Sequence, residues 1–201
     1  MTIYLATNNA HKLKEITPLF PGHLILKTIN DLGFTGDLPE TGKTLEENAK
    51  QKAKIIWNKY KVPCFADDTG LEVYALGGEP GVYSARYAGR HCSAEDNVSL
   101  LLKKLESKTN RNARFRTVIA LFLDGEQYFF EGKINGKISE IRKGIGGFGY
   151  DPVFIPEGYE TTFAEMEFEE KNKISHRAKA VRALVEFLTF QKIQVLPKSF
   201  L

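Results

Sequence analysis

Apolar residues in this chain change period several times, and each change predicts an element. Ile3 to Ala6 is a short continuous apolar run, which predicts a buried strand. From about Ala10 the spacing becomes helical, with Leu13, Ile16 and Phe20 on one face and Asn9 placed to cap the helix. A second helix is predicted from Thr44. Leu45, Ala49, Ala53, Ile56 and Tyr60 form its apolar stripe, and Thr44 with Glu47 has capping-box spacing. Val62 to Ala66 reads as a short buried strand that ends at the adjacent acids Asp67 and Asp68, where Thr69-Gly70 is expected to turn the chain. Ser93 starts a third helix carrying Val98, Leu101, Leu102 and Leu105.

The middle of the chain changes character. Arg114 to Leu123 is strand-like, Asp124-Gly125 is a hairpin signal, and Gln127 to Glu131 is strand-like again. Asn135-Gly136 predicts a further turn, and the cluster "GIGGFGYDPVF" leads into one more strand. Ser175 is expected to cap a last helix with Val181, Leu184, Val185 and Leu188 inward. Early alternation of strands and helices around a central antiparallel meander predicts an α/β protein with a long mixed sheet flanked by helices.

Composition narrows the classes. With 201 residues, 42% hydrophobic and 26% charged, the chain reads as one soluble globular domain or two lobes sharing a sheet. No stretch approaches the ~18 apolar residues of a membrane span, and "MTIYLATNN" lacks the basic start of a signal peptide. Cys64 and Cys92 are too few to form a disulfide scaffold, so a reduced, cytoplasmic setting is expected. A formal charge of +3 is too small to demand a nucleic-acid partner and does not oppose an anionic substrate.

Four segments carry candidate chemistry. In "CFADDTGLEV", strand alternation sends only one of Asp67 and Asp68 toward a given ligand, and the other needs a cap or a basic partner. Glu40, just ahead of the second helix, supplies a third carboxylate. Together with Asp68 it suits a hard cation such as Mg²⁺, whose remaining positions go to water and phosphate oxygens. In "ATNNAHKLKEI", a strand runs through polar residues into a helix whose first turn carries Lys12, an arrangement that favours an anion. In "GGFGYDP", glycines around Phe148 and Tyr150 suit close approach of backbone to ligand, with Phe148 as a flat face and Asp151 as an acceptor for a base edge. In "EEKNKISHRAKA", His176 and Arg177 occupy the first turn of a helix, where cations are unfavourable unless an anion, a carbonyl-rich ligand or an acid such as Glu170 lies near.

Other signals read as structural. His11, His23 and His91 lack partners at zinc spacing, and the two cysteines read as packed thiols. The cluster Lys108, Arg111, Arg114, Arg116 reads as a solvated face.

Taken in order, "ATNNAHK", "ETGKTLEENA", "ADDTGLEVYALGGEPGVYSARYAG", "GGFGYDPVF" and "EKNKISHRAKA" resemble the inosine triphosphate pyrophosphatase family, enzymes that hydrolyse aberrant purine nucleoside triphosphates. Each motif is weak alone; the ordered set is specific and spans nearly the whole chain. Leu45, Thr69 and Ile145 depart from the usual phenylalanine, serine and small or hydroxyl residue. The resemblance implies one two-lobed domain over residues 1–201, with a substrate cleft between the lobes and a homodimer, and neither a membrane nor a stable nucleic-acid partner. It implies Mg²⁺-dependent hydrolysis of ITP, dITP and XTP to the monophosphate and pyrophosphate, clearing them from the nucleotide pool. By position, Thr7, Asn8, Asn9 and Lys12 match the phosphate loop, and Glu40 and Asp68 match the acids associated with Mg²⁺, Asp68 also being the base. Thr69 matches a substrate-contacting hydroxyl, and Phe148, Gly149, Tyr150 and Asp151 match the base-binding strand. Lys171 matches a substrate-binding lysine, and His176 and Arg177 match the residues that read the purine. Two other readings stand beside this one: a pyrophosphatase acting on modified pyrimidine nucleotides, as in the septum-formation inhibitor family, and a non-enzymatic nucleotide or nucleic-acid binder using residues 108–116.

Overall fold

The computed structural model describes residues 1–194. In chain order the elements are β1 (Thr2–Leu5), α1 (Ala10–Ile16), β2 (Ile25–Thr28), α2 (Leu45–Tyr60), β3 (Cys64–Val73), β4 (Pro80–Gly81), α3 (Ala94–Lys104), β5 (Asn112–Leu123), β6 (Glu126–Ile138), β7 (Phe154–Pro156), α4 (Phe168–Ile174) and α5 (His176–Gln194). The strands form one mixed sheet in the order β2-β1-β3-β5-β6-β7, with β4 added beside β3. β1 is parallel to β2 and β3, and the remaining pairs are antiparallel. This is the α/β fold with a mixed sheet that the patterning predicts.

Each strand face is set by alternation. Cys64 and Ala66 of β3 face α2, where Ala49, Ala53 and Ile56 pack on them. Phe65 points the other way, into the core that α5 covers with Val181, Leu184 and Leu188. Farther along, Leu71 and Val73 join Phe115, Phe154, Val98 and Leu101 in a third core. Asp67, Asp68 and Thr69 fall in the seam between these cores. The α5 start is pressed against β6 there: a Cβ added at Gly132 would lie 2.0 Å from the His176 carbonyl oxygen.

Three local expectations are corrected. Thr69-Gly70 is no turn. β3 begins after Pro63 and runs on through both residues, because β5 gives Thr69 and Gly70 partners in Thr117 and Arg116. Asn135-Gly136 is also no turn; β6 continues through it, paired with Arg114 and Ala113 of β5, and Gly136 also pairs with Pro156 of β7. The Phe148–Asp151 segment is not a strand but a loop entering a short 3-10 turn at Asp151. Its Gly147 has φ 71°, and a Cβ there would lie 2.1 Å from Asp151 Oδ2. That glycine makes room for a carboxylate of the same loop. The hairpin at Asp124-Gly125 forms as predicted, with positive φ at both residues. The Thr44 cap forms by half: Thr44 accepts from the Glu47 N–H, while the Glu47 carboxylate accepts from Lys43 N–H and not from Thr44.

Candidate active site

Every residue that the resemblance assigns to the site lines one cleft of about 730 Å³ at the seam, a size suited to a small-molecule ligand. Thr7, Asn8, Asn9 and Lys12 come from the end of β1 and the start of α1, Glu40 from the loop before α2, and Asp68 and Thr69 from β3. Phe148, Gly149, Tyr150 and Asp151 come from the loop before β7, Lys171 from α4, and His176 and Arg177 from the first turn of α5.

The Asn9 cap forms as the sequence predicts. Asn9 caps α1, its Oδ1 accepting from His11 N–H and Lys12 N–H at 2.9 and 3.2 Å. The β1–α1 corner therefore forms without glycine.

The two adjacent acids separate cleanly. Asp68 shares the α2 face of β3; its Oδ2 accepts from Asn48 Nδ2 at 3.0 Å and its Oδ1 lies 3.5 Å from Lys52 Nζ. Lys52 also binds the Glu40 carboxylate, which Arg86 approaches at 3.6 Å. Burial pushes the Asp68 carboxyl up, the charge on Glu40 adds to this, and Lys52 and Lys12 only partly offset it. Glu40 goes the other way, because Lys52 and Lys12 outweigh its own burial. Two carboxylates driven apart in this way are suited to different roles.

Asp67 lies on the opposite face and does not line the cleft. Its Oδ2 sits 3.0 Å from Lys12 Nζ and 3.4 Å from Arg177 Nε. Burial opposes its charge, yet Lys12 and Arg177 hold it far below the usual carboxylate range. Arg177 is itself buried. It donates to Glu15 through Nη1 and to Thr69 Oγ1 through Nη2 at 3.3 Å. Glu15 takes a second cation, Lys171, at 2.7 Å. Lys171, Glu15, Arg177, Asp67 and Lys12 thus form one chain of alternating charges, with the cations facing the cleft and the acids behind them.

This network answers why two basic residues open α5: the balancing acids are Glu15 and Asp67, where Glu170 was the expected partner. His176 is not a cation at all. Burial first, then Arg177 and Lys171, hold its pKa well below 6.5, and its neutral ring stacks on Phe115 at 4.5 Å. Asp151 has its Oδ2 engaged by Phe148 N–H and Lys171 Nζ, at 2.7 and 2.5 Å. Phe148 presents a ring with Lys171 and Arg177 over it at 5.3 and 5.4 Å, and His11 stacked on it at 5.1 Å.

Four residues of this site carried no role in the sequence: Glu15, Asn48, Lys52 and His11. Asn48 and Lys52 did carry a signal. They are polar residues on the apolar stripe of α2, and both are buried. The 108–116 cluster is mostly consumed internally. Arg111 donates to the carbonyls of Leu105, Ile138 and Ser139, Arg114 pairs with Glu72, and Arg116 pairs with Glu46 and Glu131.

Among the described residues no cluster of three or more His, Cys, Asp or Glu side chains could hold a metal. Glu40 and Asp68 still fit a hard cation shared with phosphate oxygens, which needs only one or two protein carboxylates. Lys52 Nζ already occupies the point where the two converge, so the junction is built for positive charge.

Comparison with known proteins gives the chain a family. The Ham1 family model matches residues 3–187. A dITP/XTP pyrophosphatase of Flavobacterium johnsoniae is 50% identical over 96% of this chain and 100% of its own length. Another, from Porphyromonas gingivalis, is 53% identical over 94% of this chain and 98% of its own. The Staphylococcus aureus Ham1 protein superposes with a TM-score of 0.87 at 41% identity, covering 95% of this chain and all of that one. A HAM1 protein from Coxiella burnetii gives 0.88 at 35%, covering 94% and 99%. With sequence and fold matched along almost its whole length, the chain belongs to the Ham1 family.

Proposed function

We propose that this protein hydrolyses non-standard purine nucleoside triphosphates, ITP, dITP and XTP, to the monophosphate and pyrophosphate. The observation that carries the reading is Asp68: a buried carboxylate on the cleft wall, held by Asn48 and set beside Lys52 and Glu40.

With Oδ2 engaged by Asn48, Asp68 Oδ1 is the atom that orients a water and takes its proton as the water attacks the α-phosphorus. Lys12, with the N–H groups and side chains of Asn8 and Asn9, holds the β and γ phosphates at the α1 start. Lys52 meets charge on the reacting phosphate. Mg²⁺ held by Glu40 and Asp68 would neutralise charge on the triphosphate and the departing pyrophosphate. The protein's share is positioning and fixed charge.

At the other end of the cleft Phe148 offers its face to the purine, and Arg177 with His176 reads the 6-oxo group. Donors aimed at that position suit hypoxanthine and xanthine and leave adenine's 6-amino group without an acceptor. The sequence resemblance and the paired acids support these roles. The resemblance also supports a single two-lobed domain acting as a homodimer, and the two free cysteines a reduced, cytoplasmic setting. Product analysis is the test. IMP and pyrophosphate from ITP support the reading, and IDP with orthophosphate contradicts it.

A further inference from the structure

We infer that Asp67 is a positioning residue that couples the phosphate end of the cleft to the base end. The inference rests on the functional reading above and deepens it. A single oxygen of Asp67, Oδ2, serves two cations, Lys12 at 3.0 Å and Arg177 at 3.4 Å, and also accepts from the Thr69 hydroxyl at 3.4 Å. Its other oxygen, Oδ1, is buried and has no hydrogen-bond partner among the described residues. The carboxylate is therefore shared by two cations that compete for the same lone pairs, and the lysine holds the closer place. Both cations line the cleft, and Asp67 does not.

A phosphate chain that engages Lys12 draws it from Asp67. Arg177 is then the sole cation on that oxygen, beside the Thr69 hydroxyl, and closes on it while keeping its other anchors, Glu15 and Thr69. A guanidinium fixed on three sides discriminates between bases better than one held loosely, because its donors cannot turn to suit the wrong edge. Base selection is consequently sharpest when the triphosphate is in place. By thermodynamic reciprocity the correct base tightens the grip on phosphate. A monophosphate, too short to reach Lys12, meets the looser Arg177.

The test is calorimetric binding of four ligands with Mg²⁺ present: IMP, AMP and the α,β-methylene analogues of ITP and ATP. The expected preference for inosine over adenosine is at least ~5-fold larger for the triphosphate analogues than for the monophosphates. In Lys12→Ala the carboxylate belongs to Arg177 permanently, so the IMP-over-AMP preference rises to the triphosphate level although triphosphate affinity falls. In Asp67→Asn the two preferences become equal. Equal preferences in the unaltered protein, or an IMP-over-AMP ratio unchanged or lowered by Lys12→Ala, overturns the inference, and neither depends on Asp67→Asn folding. If inosine ligands are preferred at neither length, the functional reading itself fails. If they are preferred equally at both, only the coupling does.

Discussion

Asp67 and Asp68 share a peptide bond, yet among the described residues they share no hydrogen-bond or ion-pair partner. Alternation along β3 puts Asp68 with Asn48 and Lys52 on one face and Asp67 with Lys12 and Arg177 on the other. Adjacent carboxylates are tolerated because each has its own cation.

This split predicts different losses. Asp68→Asn keeps a polar partner for Asn48 and leaves Lys52 paired with Glu40, so the protein should fold with turnover reduced by several orders of magnitude. Asp67→Asn uncovers buried positive charge and should cost ~3–5 kcal/mol of stability. Denaturant unfolding alongside turnover checks both. Equal stabilities for the two variants would show that Asp67 is not the structural member of the pair.

The Lys12 ammonium should matter in proportion to phosphate length. Lys12→Ala is expected to weaken triphosphate binding tenfold or more, roughly the worth of one charge-assisted hydrogen bond, and monophosphate binding much less. Titration with the non-hydrolysable ITP analogue and with IMP decides this, and an equal loss for both would move Lys12 away from the β and γ phosphates.

Arg177→Ala should erode the preference for ITP over ATP by roughly tenfold to a hundredfold, the cost of an unpaired buried donor, while retaining more of the preference over GTP. GTP carries the same 6-oxo group and must be rejected at its 2-amino group, near the Phe148–Asp151 loop. Measuring kcat/KM for the three substrates checks the assignment. A uniform decrease for all three would make Arg177 structural only.

Stability should fall in acid in two stages. His176 is neutral in the folded protein because burial and nearby cations depress its pKa. The unfolded chain takes up that proton below about pH 6.5, so stability declines as pH falls through that value. Asp67 and Glu15, both held below their ordinary pKa, contribute stability present above about pH 4 and lost below it. Denaturant midpoints across pH 3–8 should show both limbs, and His176→Asn should flatten the upper one.

Much of this was legible in the residues, and for reasons that can be named. Caps at Asn9, Thr44, Ser93 and Ser175 are local chemistry, so the helix starts were predictable. The length of β3 was not, because Thr69-Gly70 is a turn signal that β5 overrides by pairing with it. Lys12 and Glu15, three apart on α1, look like a surface pair; only the packing of α4 and α5 against α1 buries Glu15 under Lys171 and Arg177. Long-range partners of that kind leave no mark in local spacing. Asn48 and Lys52 are different: polar residues on a stripe already read as buried were a visible sign of a site.

Whether cleavage falls at the α-phosphorus in a site that needs Asp68 is decided by incubating the protein with ITP and Mg²⁺ and counting products. We expect one pyrophosphate per IMP, a rate far above that with ATP, and turnover lower by several orders of magnitude for Asp68→Asn or after chelation of Mg²⁺. Release of orthophosphate with IDP, or undiminished turnover in Asp68→Asn, would contradict this expectation.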